Sequence, residues 1–468
     1  MRLKTAVKTK WFLDKGRISM SVYAPLQKAF KRVLTPFESF VHDQTTTGIV
    51  LLVMTILALI LANSPYEEAY RDFFHAKVGF SIGSWREYYS LHHWINDALM
   101  AVFFFVVGLE IKREFIAGEL SEVRLAILPI LSALGGMVVP ALIYLGITHG
   151  SEAQNGWGIP MATDIAFAIS ALVLLGKKVP SSLVTFLVAL AIVDDLGAVL
   201  VIAVFYTNEL NFMALFYSFG FFGGMLFLNV VGVRNNLLYF VFGFGMWLFM
   251  LDSGIHATIA GVLAALAIPS KPLNNPLEFT KHTRNMLDEF DNYPIATDGV
   301  MHEKQKALLQ NIKDRINAIS SPAGVLEHSL HLPVSLIIIP FFALANAGIN
   351  IEFATIHHLL QTPVALGVMF GLVFGKVLGI AGSAFLAIRL GVAKLPEHSS
   401  FAQLFGVAFL GGIGFTMSIF VSDLAFGENA LFITQAKAGI LVASLVAGIT
   451  GYVLLRIFAK KTNQAASH

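Results

Sequence analysis

Long runs of apolar residues recur along this chain and are separated by short polar segments. A helix that crosses a lipid bilayer needs about 20 mainly apolar residues. Some windows of this kind carry no Asp, Glu, Lys or Arg, and others contain a few embedded charges. The charge-free windows are 44–66, 125–151, 210–233, 235–251, 253–270, 332–351, 399–422 and 438–455, and the charged ones are 95–111, 159–176, 180–207 and 363–388. The pattern predicts an all-α polytopic membrane protein with twelve transmembrane helices.

The composition supports this class. Of 468 residues, 56% are apolar and 13% are charged, about half the charged share of a typical soluble domain. The formal net charge of +2 gives no indication of a nucleic-acid partner. The chain contains no cysteine, which excludes a disulfide framework, a thiolate metal site and a cysteine nucleophile.

The distribution of Lys and Arg predicts the orientation, because cytoplasmic loops retain these residues. Nine lie within residues 1–43, and Lys112, Arg113 and Arg124 follow the second window. We therefore expect both termini in the cytoplasm. The predicted order is a basic arm (1–43), spans one to eight (44–270) with an outer hairpin at 64–93, a cytoplasmic loop (271–331), spans nine to twelve (332–457) and a cytoplasmic tail (458–468). Within the long loop, the spacing of apolar residues from Met301 to Ile316 predicts a helix.

Two windows contain residues that interrupt helices in the middle of a span. Span four carries Pro160 and Thr163, and span eleven carries Gly411, Gly412, Gly414 and Thr416. Interrupted spans in corresponding halves of a transporter indicate an inverted repeat with the substrate site where the breaks meet. The alternative is close helix packing, which also uses glycine.

Ionisable residues inside these spans are the strongest functional signal. A charged side chain at the bilayer centre costs about 2.5 to 3.5 kcal/mol on insertion scales. Asp194 and Asp195 are adjacent in span five, Asp164 lies in span four and Lys376 lies in span ten. The adjacent carboxylates cannot both ionise cheaply, so we expect them to titrate in coupled steps. Asp164 and Lys376 have the right signs to neutralise half-helix ends, and Lys376 has the alternative of pairing directly with Asp194.

Carboxylates, a threonine hydroxyl and freed carbonyls are hard oxygen donors that suit small hard cations. Asp194 and Asp195 are therefore candidate ligands of such a cation, and a proton competes with the cation for them. Competition at a site with alternating access gives antiport without a cofactor or covalent chemistry. Two alternatives remain: an intramembrane aspartyl hydrolase with an Asp164–Asp194 dyad, and a passive cation channel.

Other titratable residues lie near the ends of spans. Glu110 and Glu114 end span two, and Glu327, with His328 and His331, precedes span nine. These residues are candidates for a proton-sensing surface or simply a solvated helix end. His256 is a pH-sensor candidate or a packing residue, and Asp97 is an ion-path candidate or a helix cap.

Six motifs together identify a family. They are ATDIAFA, ALAIVDDLGA, SGIHATIAG, FFALANAGI, FGKVLGI and GGIGFTMSIF. In this order and on these spans they resemble the NhaA family of bacterial sodium/proton antiporters, from about Thr46 to Ile457. The resemblance implies an inner-membrane protein of twelve helices, with the fourth and eleventh interrupted and crossing.

The resemblance also implies residue roles. Asp194 and Asp195 would carry Na+ or Li+ and protons, Thr163 and Asp164 would assist, and Lys376 would pair with Asp194. The pH response would involve Glu110, Glu114, Glu327 and His256, and the hairpin after span one would form a homodimer. The N-terminal arm and about forty-five residues within 272–321 look like additions to the family pattern, and the second of them lies immediately before Glu327.

Overall fold

Helices form almost all of the regular structure in the computed structural model, which describes residues 44–82, 85–207, 210–271, 276–293, 301–319, 321–350, 356–427 and 429–465. The predicted basic arm lies outside these residues. The helices and strands are α1 (Gln44–Ala62), α2 (Glu67–His75), β1 (Lys77–Ile82), β2 (Trp85–Ser90), α3 (Leu91–Ala117), α4 (Val123–Ile147), α5 (Ile165–Val173), α6 (Ser181–Phe205), α7 (Phe212–Val231), α8 (Asn236–Leu251), α9 (Thr258–Ala267), α10 (Pro276–Asp291), α11 (Glu303–Ile319), α12 (Pro322–Asn346), α13 (Ile356–Leu360), α14 (Pro363–Arg389), α15 (Phe401–Leu410), α16 (Phe415–Phe426) and α17 (Ala430–Ala465).

The chain is a polytopic helical membrane protein. Among the described residues, nine helices are long and apolar enough to cross a bilayer, and the bent pair α15 and α16 makes a tenth if it is counted as one span. One of the nine is Glu152–Val173, which joins a 3-10 helix (Glu152–Met161) to α5. Large apolar side chains remain exposed on the outer helices, such as Phe216 (72%) and Val230 (86%) on α7, as expected of surfaces that face lipid.

Two predicted spans form shorter helices. The window 235–251 becomes α8, with 16 residues, and the window 253–270 becomes α9, with 10 residues. Chain reversal explains the shortening of α9, because Gly254 has a left-handed φ of 85° and the helix begins only at Thr258. At 1.5 Å per residue α9 is about 15 Å long, half the hydrocarbon thickness of a bilayer.

Two other helices begin before the apolar windows that predicted them. The helix α12 begins at Pro322 rather than at Leu332, and α17 begins at Ala430 rather than at Ala438. Hydropathy marks only the apolar part of a helix, and charged residues such as Glu327 and Lys437 continue it without a break.

The hairpin predicted after the first span is present as an antiparallel pair of β1 and β2. The preceding helix α2 is fixed to α12, because the hydroxyl of Tyr70 donates to the carbonyl of Leu344 at 2.6 Å. Burial raises the pKa of Tyr70 to about 12, so this hydroxyl stays protonated and remains a donor.

The chain divides into two compact units, one formed by Gln44–Ser270 and Pro322–His468 and the other containing Lys271–Ser321. In the second unit α10 and α11 pack on each other. The amide of Gln305 donates to the carbonyl oxygens of Phe290 and Tyr293. The helix predicted from the apolar spacing after Met301 is confirmed as α11.

Candidate functional site

Two helix interruptions lie against each other in the larger unit. The 3-10 helix ends at Met161 and α5 begins at Ile165, while α15 ends at Leu410 and α16 begins at Phe415 with a bend of 48°. The amide of Asp164 donates to the carbonyl of Ile413 at 2.6 Å. A residue of one break therefore satisfies a backbone group that the other break leaves without a helical partner.

The glycines predicted to interrupt span eleven allow close packing of the second break against α14 and within α16. A Cβ atom on Gly412 would lie 2.5 Å from the carbonyl oxygen of Leu372, and one on Gly414 would lie 2.2 Å from the hydroxyl of Ser418. A Cβ on Gly411 would lie 2.7 Å from Ile380. Pro160 is buried within the 3-10 helix, where proline supplies no amide hydrogen.

The carboxylate of Asp164 caps two half-helices at once. Its Oδ1 accepts from the amide of Phe167 in the first turn of α5 at 3.0 Å. Its Oδ2 accepts from the amide of Thr416 in α16 at 3.1 Å and from the Thr416 hydroxyl at 2.5 Å. A negative charge is favourable at a helix N-terminus, so a single carboxylate here serves two positive helix ends.

Asp194 in α6 is held by two side chains. Its Oδ2 lies 2.5 Å from the ammonium of Lys376 in α14 and accepts from the hydroxyl of Thr163 at 2.6 Å. The Thr163 hydroxyl also lies 2.9 Å from the carbonyl oxygen of Gly411. Asp194 is 1% exposed and Lys376 is 0% exposed. Of the two roles considered for Lys376, the structure has the direct pair with Asp194.

Asp195 faces a different environment from its neighbour. It lines a cavity of about 120 Å³ together with Asp164, Thr416 and Glu110. Within the described residues, neither carboxylate oxygen of Asp195 accepts a hydrogen bond from the protein. Adjacent helical residues diverge by about 100°, which turns one carboxylate toward α14 and the other toward the cavity.

The backbone of α14 places Lys376 in this position. A π-helical turn, Gly371–Gly375, immediately precedes Lys376, and such turns are frequent at functional sites. One turn further on, a Cβ on Gly379 would lie 2.2 Å from the carbonyl oxygen of Gly135 in α4. The absence of side chains at both glycines therefore lets α4 and α14 approach closely.

The predicted pH-response residues fall into two separate groups. The guanidinium of Arg113 lies 2.7 Å from Glu327 and 3.1 Å from Glu114. Glu110 lines the cavity, as does His331. This group lies at the α3 and α12 side of the cavity.

His256 belongs to the other group, with the ion-path candidate Asp97. Its Nε2 lies 3.5 Å from the Asp97 carboxylate, and the other oxygen of Asp97 lies 3.2 Å from His93. Its ring also packs edge-on against Phe420 at 5.5 Å. The carboxylate of Asp97 therefore lies between two imidazoles.

Sequence reasoning missed several residues that complete the site. Arg113, which the sequence identifies only as one of the cations that set the orientation, joins two of the candidate glutamates. Ser418 donates to the carbonyl of Ile159 at 2.8 Å, and Ser444 accepts from the amide of Phe415 at 3.2 Å. Hydroxyl residues on apolar helices that flank a glycine-rich break are the sequence signal for such contacts.

The groups that meet here and can bind a cation through oxygen are carboxylates, a threonine hydroxyl and backbone carbonyls. One ammonium group lies beside them. This set suits a small hard cation or a proton. An ionised carboxylate that is buried without a partner is energetically unfavourable. Asp195 therefore needs either a bound proton or a bound cation.

Comparison with known proteins is consistent with this chemistry. The profile of the family described as Na+/H+ antiporter 1 matches residues 38–455. A protein named Na+/H+ antiporter NhaA from Sulfurimonas denitrificans is 61% identical over 444 residues, which is 95% of this chain and 100% of that protein. Na+/H+ antiporter NhaA 1 from Saccharophagus degradans is 48% identical over 92% of this chain and 93% of its own length. A third relative, NhaA from Dichelobacter nodosus, is 46% identical over 95% of this chain and 96% of its own.

Proposed function

Because the chain belongs to the Na+/H+ antiporter 1 family and is a secondary antiporter rather than an enzyme, we propose that it exports Na+ or Li+ in electrogenic exchange for protons by alternating access. The observation that carries this proposal is the environment of Asp195. It is a buried carboxylate on a cavity, without a hydrogen-bond donor among the described residues, beside the Asp194–Lys376 pair.

The proposed exchange follows from the few groups that can neutralise the carboxylates of Asp194 and Asp195, which are a proton, the cation and the ammonium of Lys376. Asp195 takes either a proton or the cation, because an ionised carboxylate at this depth is unfavourable alone. A cation that binds both Asp194 and Asp195 displaces the ammonium of Lys376 from Asp194. Protonation of the carboxylates expels the cation. Transport is electrogenic because Asp194 and Asp195 each take up a proton when the cation leaves, so that more than one proton is exchanged for each cation over a full cycle. The pair of ionised Asp194 with Lys376 forms between the protonated state and the cation-bound state.

Asp164 and Thr163 have supporting roles in this proposal. Thr163 donates to Asp194 and offers its oxygen to a partly dehydrated cation, while Asp164 neutralises the ends of α5 and α16. In this proposal the two breaks lie within interrupted transmembrane helices. These helices are spans four and eleven of a twelve-span inverted repeat. In this scheme α8 and α9 are the shorter spans seven and eight.

The wider organisation is also part of the proposal. The protein lies in the bacterial inner membrane with residues 1–43, 271–331 and 458–468 in the cytoplasm, and it forms a homodimer through the hairpin of β1 and β2. Activity depends on pH through Glu110, Glu114, Glu327 and His256, and Asp97 lines the path on the outer side. The transported cations and protons are its ligands, and it needs no cofactor.

The test is a pH-sensitive dye in everted membrane vesicles. Addition of NaCl or LiCl should release protons from the vesicles, more strongly at alkaline than at neutral pH, and KCl serves as the comparison. Vesicles that contain Asp194→Asn protein at equal amount are the control and should give no response. Sodium flux without movement of protons would indicate a channel and would contradict the proposal.

A further inference from the structure

A second buried ion pair lies outside the site described above. The ammonium of Lys437 in α17 lies 3.2 Å from Oδ1 of Asp423 in α16, and the two side chains are only 10% and 13% exposed. Removing one partner of such a pair leaves an uncompensated buried charge. The pair therefore holds the last turn of α16 on α17.

The opposite end of α16 is held by the same helix. Ser444 of α17 accepts from the amide of Phe415, the first residue of α16, at 3.2 Å. This amide is one of those that a helix start leaves without an intrahelical partner. Lys437 and Ser444 are seven residues apart, which is about two turns or 10 Å along one face of α17.

The two contacts thus bracket the whole of α16, which has only 12 residues. Thr416 follows Phe415 directly, and its amide and hydroxyl both donate to Asp164. Thr416 and Asp423 are also seven residues apart and so lie on one face of α16. A rotation or shift of α16 that loosens either contact with α17 also moves Thr416 relative to Asp164.

We propose that Lys437 and Ser444 are positioning residues for the transport site, which act by holding α16 so that Thr416 stays hydrogen-bonded to Asp164. They do not touch the transported cation. This inference rests on the proposed function, because it assigns them a role toward a site whose residues are themselves proposed.

The experiment is a double-mutant cycle on the full chain in proteoliposomes, with the apparent KM for Na+ as the readout. Lys437→Met should raise the KM about tenfold, equivalent to about 1.4 kcal/mol, with a smaller effect on the maximal rate. In a Thr416→Val background, which lacks the hydroxyl contact to Asp164 but keeps the amide contact, the same change should raise the KM by a smaller factor, because residues that act through a shared contact are not additive. Lys437→Arg should retain most of the affinity.

Lys112→Met is the matched control. Lys112 donates to the carbonyl oxygens of Leu266 and Ile268 at the end of α9 and makes no hydrogen bond or ion pair with α16 among the described residues. Lys112→Met should change the apparent KM for Na+ by the same factor in the parent protein and in the Thr416→Val background. Equal factors for Lys437→Met in the two backgrounds would overturn the proposal and leave the pair a purely structural contact.

If Lys437→Met fails to accumulate in the membrane, Ser444→Ala replaces it in the same cycle and must show the same loss of additivity, with Ser444→Thr as the conservative variant. Failure of the proposed function has a different signature. In that case the parent protein gives no sodium-dependent proton release, or Asp194→Asn retains it, whatever the Lys437 variants do.

Discussion

The ammonium of Lys376 lies 2.5 Å from Oδ2 of Asp194, and both side chains are completely buried. Each group therefore compensates the charge of the other at a position that bulk solvent does not reach. The pair links α6 to α14 and separates the roles of two adjacent aspartates, because Asp195 lines the cavity instead.

Loss of the ammonium should destabilise the protein and abolish exchange. Lys376→Met leaves Asp194 buried without its cation, a change that typically costs about 3 to 5 kcal/mol when one partner of a buried pair is removed. Lys376→Arg keeps the charge and should retain substantial transport. Thermal unfolding of the purified protein and sodium-triggered proton release in proteoliposomes are the two measurements.

The double variant Asp194→Asn with Lys376→Met separates stability from transport. Neutral residues at both positions remove the uncompensated charge, so thermal stability should recover toward that of the parent while exchange remains absent. If Lys376→Arg abolishes exchange while a neutral residue at position 376 retains it, the proposed role of the ion pair is wrong.

The two adjacent aspartates should differ in stability but not in transport. Asp194→Asn leaves Lys376 unpaired and should lower the unfolding temperature. Asp195→Asn removes a carboxylate that accepts no hydrogen bond from the described residues and should leave stability unchanged or improved. Both variants should lose sodium-triggered proton release, whereas Asp288→Asn on the exposed face of α10 should behave as the parent in both assays. Near-normal exchange in either aspartate variant would contradict the assignment.

The hydroxyl of Thr163 should contribute to cation affinity. Thr163→Val keeps the shape of the side chain but removes the contacts to Asp194 and Gly411, and loss of hydrogen bonds to a charged group is worth about 1.5 to 3 kcal/mol. We expect an increase of about tenfold or more in the apparent KM for Na+, with Thr163→Ser close to the parent. Thr55→Val is the control, since the hydroxyl of Thr55 donates to Leu51 within α1. An equal increase in the KM for this variant would contradict a specific role of Thr163.

Close packing of α4 against α14 should be sensitive to a single methyl group. Gly379→Ala places a Cβ 2.2 Å from the carbonyl oxygen of Gly135, so the helices must separate and Lys376 must shift. We expect a lower unfolding temperature and reduced exchange. Gly382→Ala on the same helix meets nothing within 4 Å and should be neutral or stabilising by up to about 1 kcal/mol through helix propensity. If both glycine substitutions leave the unfolding temperature and the exchange equally unaffected, the close approach of α4 and α14 is not required for either.

Much of the fold follows from the favourable free energy of transferring apolar side chains from water to lipid. Apolar windows therefore predict helices such as α1, α4 and α6. The ends of helices do not follow from this free energy. The last charge-free window begins at Ala438 and therefore does not include Lys437. The structure accommodates the charge of Lys437 because Asp423 lies opposite. That partner lies on another helix, and hydropathy along one helix contains no information about it.

The same distinction applies to the site. The high cost of buried charge was sufficient to select Asp164, Asp194, Asp195 and Lys376. The choice between a helix-end role and a direct pair for Lys376 depended on tertiary geometry, which places its ammonium on Asp194. The bond between Arg113 and Glu327 likewise joins α3 to α12 and has no local sequence signal.

The hydroxyl of Thr163 carries a single hydrogen but lies within reach of two acceptors, the carboxylate of Asp194 and the carbonyl of Gly411. It can serve only one of them at a time. When Asp194 is ionised, the hydrogen is drawn to the carboxylate. When Asp194 itself bears hydrogen, it can become the donor, and the threonine is free to turn toward Gly411. Rotation of this hydroxyl about its C–O bond thus couples the ionisation of Asp194 in α6 to the carbonyl of Gly411, which directly follows α15, without displacement of any backbone atom.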